Sequence, residues 1–69
     1  MGRITVFVDG HPYSVLAGSE VGMLVDQLPP EQQLAVKNGL AYFTDPFGNQ
    51  VGEGGGLFDG QRLAITYVA

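Results

Sequence analysis

Apolar and polar side chains alternate along residues 3–9, with Ile4, Val6 and Val8 on one side of the alternation. A period of two over this length predicts a strand with one buried face. A β-prone segment at residues 13–16 follows directly after an Asp-Gly-His-Pro turn. The start of the chain is therefore predicted to form a β-hairpin.

A helical period comes next. The apolar positions that repeat at i, i+3, i+4 and i+7 are Val21, Leu24, Val25 and Leu28. They predict one short helix with a single apolar face. Ser19 is the predicted N-cap, because its hydroxyl can accept hydrogen bonds from amides in the first turn. Pro29 and Pro30 are predicted to end the helix, since proline disfavours helical geometry in the residue before it.

Three further strands are predicted, at residues 33–37, 40–44 and 62–68. The Asn38-Gly39 pair between the first two is a strong hairpin signal, because both residues tolerate positive φ. A polar turn at residues 45–49 and a loose glycine-rich loop at residues 51–56 precede the last strand.

The predicted element order is β-β-α-β-β-β in a single domain over residues 1–69, which is an α+β fold. One helix on one face of a mixed sheet is the economical way to bury the apolar faces of both. The predicted core, besides the helix positions, is Ile4, Val6, Val15, Leu34, Val36, Leu63 and Ile65. The first and last strands are expected to lie side by side and parallel in the middle of the sheet, which is the β-grasp arrangement.

Several stretches resemble a known superfamily. Leu-Pro-Pro-Glu-Gln-Gln-Leu at residues 28–34 resembles the helix exit of ubiquitin, and Phe7 resembles ubiquitin's surface phenylalanine. LAVKNG and DGQRLAITYVA are similar to the second half of the sulphur carriers, namely the thiamine-biosynthesis sulphur carrier and the small subunit of molybdopterin synthase. The resemblance implies a ubiquitin-like β-grasp fold over nearly the whole chain.

Both branches of that superfamily carry Gly-Gly just beyond the last strand, and its bare carboxylate is adenylated. This sequence has Val68-Ala69 at that place. The departure favours a small non-catalytic module that works by protein–protein contact. The alternative is a sulphur carrier activated by an adenylating, ubiquitin-activating-like enzyme, with its Gly-Gly tail absent from this chain. A subunit of a larger enzyme assembly is a third interpretation, which the sequence does not separate from the first.

The charge and composition of the chain exclude several classes of partner. The net charge is −4 and the strong cations Arg3, Lys37 and Arg62 are scattered, so neither nucleic acid nor an anionic membrane is an expected partner. No apolar stretch approaches the roughly 20 residues of a membrane span, and the N-terminus lacks the apolar run of a signal peptide. The chain has no cysteine, which excludes disulfides and thiolate metal sites. We therefore expect a cytoplasmic protein.

No catalytic constellation is legible in the sequence. His11 is the sole histidine and is predicted to be an exposed turn residue, without the orienting partner that acid–base catalysis needs. The carboxylates are spread singly, without metal-binding spacing. The glycines at residues 54–56 precede a predicted strand, whereas a phosphate-cradling loop precedes a helix. No enzyme activity, metal or cofactor is predicted.

The sheet face away from the helix is the predicted partner-binding site. Its residues are Phe7, Ala35, Lys37, Ala64, Thr66 and Val68, with Lys37 at the rim. They are mildly apolar positions on adjacent predicted strands, and a contiguous apolar patch marks an interaction site. An ordinary solvated face with one stray phenylalanine is the alternative.

Overall fold

The computed structural model describes residues 2–68, so Ala69 of the Val68-Ala69 ending lies outside the described residues. The elements are β1 (Arg3–Val8), β2 (His11–Leu16), α1 (Val21–Val25), α2 (Pro30–Lys37), β3 (Ala41–Thr44), β4 (Gln50–Val51) and β5 (Arg62–Tyr67). The strands form one mixed sheet in the order β2-β1-β5-β3-β4. β5 pairs in parallel with β1 and antiparallel with β3. The predicted parallel pairing of the first and last strands is confirmed.

The β1–β2 hairpin reverses through two residues. Asp9 and Gly10 both have positive φ, 51° and 82°, as a type I′ turn requires. Val8 then pairs with His11 across the two strands. β2 therefore begins ahead of the predicted start at Tyr13, and His11 is an exposed strand residue rather than a turn residue.

The apolar face of α1 is confirmed. Val21, Leu24, Val25 and Leu28 are all buried. The helix itself ends at Val25, ahead of the predicted stop at the two prolines, and Leu28 is carried by the turn that follows. The turn keeps Leu28 in the core without a further helical turn.

The glycine-rich loop caps the N-terminus of α1. The helix has no side-chain cap, so the predicted cap by Ser19 is wrong. The Val21 amide donates to the carbonyl oxygen of Gly55 at 2.9 Å. The Gly22 amide donates to the carbonyl oxygen of Glu53 at 2.8 Å, and a Cβ on Gly22 would lie 3.3 Å from that oxygen. The loop predicted to be loose is thus a hydrogen-bonded part of the fold, and glycine at position 22 permits its close approach.

The predicted strand at residues 33–37 is wrong, because this segment belongs to α2. Pro30 starts the helix, where the missing amide hydrogen costs nothing and the fixed φ suits the first turn. Gly39, with φ of 74°, ends it. The Gly39 amide donates to Val36 O at 3.2 Å and the Leu40 amide to Ala35 O at 2.8 Å, which is the Schellman pattern of a helix C-terminus. The predicted Asn-Gly hairpin is therefore a helix end.

Val36 and Leu34 were both predicted as core residues on one face of a strand, and the helix places them on different faces. Residues two apart lie on one face of a strand but about 200° apart around a helix. Val36 is buried, with 7% of its surface exposed, whereas Leu34 is 61% exposed. Leu34 is therefore not a core residue. The element order is β-β-α-α-β-β-β with two helices instead of one, and the α+β class is confirmed.

One apolar cluster joins the sheet to both helices. Its buried members are Val6, Val8, Val15, Val21, Leu24, Val25, Leu28, Val36, Ala41, Phe43, Leu57 and Leu63. Ile4 and Ile65, both predicted as core, are partly buried against it. Phe43, the largest fully buried side chain, was not predicted, because the four residues of β3 are too few to show a period.

Candidate functional site

The outer face of the sheet is the face opposite to the helices. Side chains alternate along each strand, and Val6, Val8 and Leu63 point into the core. The residues between them therefore point outward. The outward positions of the three inner strands are Arg3, Thr5 and Phe7 on β1, Arg62, Ala64 and Thr66 on β5, and Tyr42 and Thr44 on β3.

Three predicted site residues meet on this outer face. Phe7, Ala64 and Thr66 are all half-buried there. The Thr66 hydroxyl lies 3.1 Å from the Thr44 hydroxyl, so the two share a hydrogen bond across β5 and β3. Val68 lies just beyond β5, is exposed, and donates its amide to Leu40 O at 2.8 Å.

The other two predicted site residues lie elsewhere. Ala35 and Lys37 are on α2, because residues 33–37 form a helix and not a strand of the sheet. Ala35 packs against the apolar cluster. The Lys37 Nζ lies 3.9 Å from Asp26 Oδ1, in an exposed pair between the two helices. Their assignment to the outer sheet face was therefore wrong.

Arg62 is the first residue of β5 and lies on the outer face. The parallel register places it beside Phe7, and its guanidinium carbon lies 4.9 Å from the centroid of the Phe7 ring. This is a cation–π contact. Among residues 2–68, no carboxylate oxygen lies within 4 Å of the guanidinium nitrogens, and the guanidinium donates no hydrogen bond. The contact holds the side chain in place while its hydrogen-bond donors stay available.

A groove opens beside Arg62, between two exposed phenylalanines. Its volume is about 410 Å³, and Phe47, Phe58 and Arg62 are among its lining residues. Phe47 is 88% exposed and Phe58 is 62% exposed. A second cavity of about 250 Å³ shares Arg62 with the first and extends to Ala64 on the outer face. We name this feature the Phe47–Phe58 groove, and Arg62 joins it to the outer face.

The first phenylalanine is presented by a well-braced turn. Asp45 Oδ1 accepts the amides of Phe47 and Asn49, both at 2.9 Å. Gly48 follows with φ of 84°, which glycine adopts without strain. The turn therefore holds Phe47 at its tip while the core lies below.

The second phenylalanine belongs to a turn fastened to β1. Gln61 Oε1 accepts the Phe58 amide at 3.1 Å. Asp59 Oδ1 accepts the Thr5 amide at 2.9 Å, and the Gly60 amide donates to Thr5 O at 2.7 Å. The backbone of both turns is thus held by hydrogen bonds, which lowers the entropy cost of ordering it on binding.

The sequence carried a signal for these aromatic residues that the strand analysis passed over. Phe47 lies between a proline and a glycine, and Phe58 directly precedes the Asp59-Gly60 pair. An aromatic residue inside such a turn cannot join a regular strand, so it is either tucked under the turn or exposed at its tip. The sequence shows Arg62 only as one of three scattered cations, since its contact with Phe7 depends on the register of the β1–β5 pairing.

Within residues 2–68, no group of three His, Asp or Glu side chains is placed to hold a metal ion. No helix in the same span combines the length and hydropathy that crossing a membrane would require. What the described residues do present is shape, exposed aromatic area and an available guanidinium.

Neither the protein-family models, the curated proteins nor the solved structures gave a match to this chain.

Proposed function

We propose that this protein is a non-catalytic, ubiquitin-like β-grasp module that binds another protein through the outer face and the adjoining Phe47–Phe58 groove. The observation that carries the proposal is the Phe7–Arg62 pair, whose guanidinium donates no hydrogen bond to residues 2–68 and lies beside two exposed phenylalanines. Support for the β-grasp assignment comes from the strand order β2-β1-β5-β3-β4, with β1 and β5 parallel.

The exposed aromatic residues favour a binding surface over an ordinary solvated face. Apolar side chains exposed singly are common, but several beside one cavity mark an interaction site. Phe47 and Phe58 line one groove together with Arg62. Aromatic residues and arginine are the residue types that most often dominate binding energy at protein interfaces.

Site-specific photo-crosslinking tests the proposal. A photoreactive phenylalanine analogue at Phe58 should capture a discrete partner from the native cell extract. The same analogue at Leu34 is the matched control, because the two side chains are 62% and 61% exposed but Leu34 lies on α2, remote from the groove. Excess unlabelled protein should compete with capture at position 58. Capture at neither position, or equal capture at both, contradicts the proposal.

A sulphur carrier is the second candidate, and the position of the last described residues favours it. β5 is the central strand, and Val68 beyond it is exposed. In the sulphur carriers that this sequence resembles, the reactive tail leaves the fold after the last strand. Incubation of the 69-residue chain, and of the same chain extended by Gly-Gly, with ATP and a ubiquitin-activating-like enzyme, followed by mass spectrometry, distinguishes the two. A binding module gives no acyl-adenylate or thiocarboxylate in either form, whereas a mass gain at the terminal carboxylate of either form favours the carrier.

A further inference from the structure

We propose that the Phe47–Phe58 groove binds a partner segment in which a carboxylate side chain stands next to a large apolar one, with the carboxylate on Arg62. The inference rests on the proposed protein-binding function and specifies the chemistry of the partner. The basis is charge complementarity at Arg62, combined with the two aromatic walls beside it.

The first step concerns the hydrogen-bonding capacity of Arg62. A guanidinium presents five N–H donors in its plane, and its face can rest on an aromatic ring without using them. Arg62 lies over the Phe7 ring in this way. Among residues 2–68 no carboxylate lies within 4 Å of it. A planar carboxylate can accept two parallel N–H bonds from the fork, and such charge-assisted pairs are the strong hydrogen bonds of proteins.

Asp45 lines the same groove, and its negative charge opposes the binding of an anionic ligand. Its Oδ1 is already engaged, however, with the amides of Phe47 and Asn49. A cationic ligand would have to approach Asp45 against the charge of Arg62. At short range the groove therefore suits an anionic group, although the net charge of −4 repels such a ligand at long range.

The two phenylalanine rings that line the groove favour a large apolar side chain next to the carboxylate. Phe47 and Phe58 leave most of their ring surface uncovered. The volume of about 410 Å³ lies within the range of about 300–1,000 Å³ found for ligand pockets. The neighbouring cavity of about 250 Å³ continues past Arg62 toward Ala64. A segment could thus lie along both cavities with its carboxylate at their junction.

A panel of matched peptides tests the inference with the protein unchanged. The probes are an acetylated, amidated Gly-Ser-Asp-Phe-Ser-Gly and three variants, with Asn for Asp, Lys for Asp, and Ala for Phe. Each is titrated into ¹⁵N-labelled protein. The Asp-Phe peptide should shift the amide signals of Phe47, Phe58, Gln61 and Arg62. The Asn and Ala variants should bind roughly tenfold more weakly, since each loses one of the two recognition elements.

Three protein variants test the role of the charge. Arg62→Gln should weaken binding of the Asp-Phe peptide by roughly tenfold or more. Arg3→Gln is the matched control, because it removes the same charge from the outer face but away from the groove, where Arg3 Nε donates to Ser14 Oγ at 2.8 Å. Its effect on binding should be small. Asp45→Asn keeps a side-chain oxygen for the turn while removing the negative charge, so it should bind the peptide more tightly.

The outcomes separate the two proposals. Equal binding by Arg62→Gln and Arg3→Gln, or tighter binding of the Lys peptide than of the Asp peptide, overturns the carboxylate inference. If no peptide binds but photo-crosslinking at Phe58 captures a partner, the inference fails and the proposed function stands. If crosslinking fails as well, the proposed function fails too. Dispersed amide spectra of each variant show that the fold is retained.

Discussion

The chain contains three Asx-Gly pairs, and two of them, Asp9-Gly10 and Asn38-Gly39, differ in structure. Asp9 and Gly10 both have positive φ and reverse the chain into an antiparallel strand. Asn38 has φ of −90°, and only Gly39, at 74°, is left-handed. The first pair is a hairpin turn and the second closes a helix. Both uses depend on access to positive φ, so the dipeptide alone predicts an ending and not the element that ends.

The segment before each pair carries local features that suit its own element. β1 alternates over six residues, which is long enough for a period of two to exclude a helix. α2 starts at Pro30 and has Glu31 in its first turn and Lys37 in its last, where each charge complements the helix dipole. The Gln33 side chain also donates to Leu28 O at 3.1 Å, which ties α2 to the turn after α1.

The largest difference in stability is expected between two leucine-to-alanine variants. Leu24→Ala should lower the free energy of unfolding by about 2–5 kcal/mol, because Leu24 is fully buried. Leu34→Ala should change it by less than about 0.5 kcal/mol, because α2 exposes Leu34. Urea unfolding followed by circular dichroism measures both. A large loss at Leu34 would mean that residues 33–37 form a buried strand after all.

A pair of alanine substitutions tests the turns themselves. Asp9→Ala should cost about 1–2 kcal/mol, because alanine resists the left-handed conformation that Asp9 adopts. Asn38→Ala should cost less than about 0.5 kcal/mol, since φ of −90° suits any residue. Chemical denaturation with both variants at equal ionic strength gives the difference. Similar losses would indicate that both pairs are hairpin turns.

The smallest effect is expected at the end of α2. Lys37→Gln should lower stability by less than about 1 kcal/mol, because the pair with Asp26 is exposed and the helix dipole contributes only weakly there. The loss should shrink in high salt. Capture of a partner by the photoreactive Phe58 analogue should be unchanged in Lys37→Gln. A clear fall in capture would indicate that Lys37 belongs to the partner-binding surface.

The candidate site was predictable in part. Phe7, Ala64 and Thr66 follow from strand alternation alone, and they do share the outer face. Ala35 and Lys37 were assigned to this face because residues 33–37 were predicted to form a strand, whereas they belong to α2. Phe47, Phe58 and Arg62 come from a turn, another turn and a strand start, and only the paired sheet brings them to one groove. These three residues lie in separate segments of the chain, so no local repeat of apolar and polar positions predicts that they lie close together.

Local patterns in the sequence predict β1, β5 and the apolar face of α1, and the order of the elements predicts the parallel pairing of β1 with β5. β1 and β5 each alternate over six residues, and the apolar positions from Val21 to Leu28 repeat at helical spacing, so each pattern favours one period. Segments with an ambiguous pattern depend on tertiary contacts. Residues 33–37 are compatible with either period, and the contacts of α2 with β3 and α1 select the helix. Distant backbone also supplies the cap of α1, because carbonyl groups of the glycine-rich loop satisfy amides that Ser19 leaves without a partner.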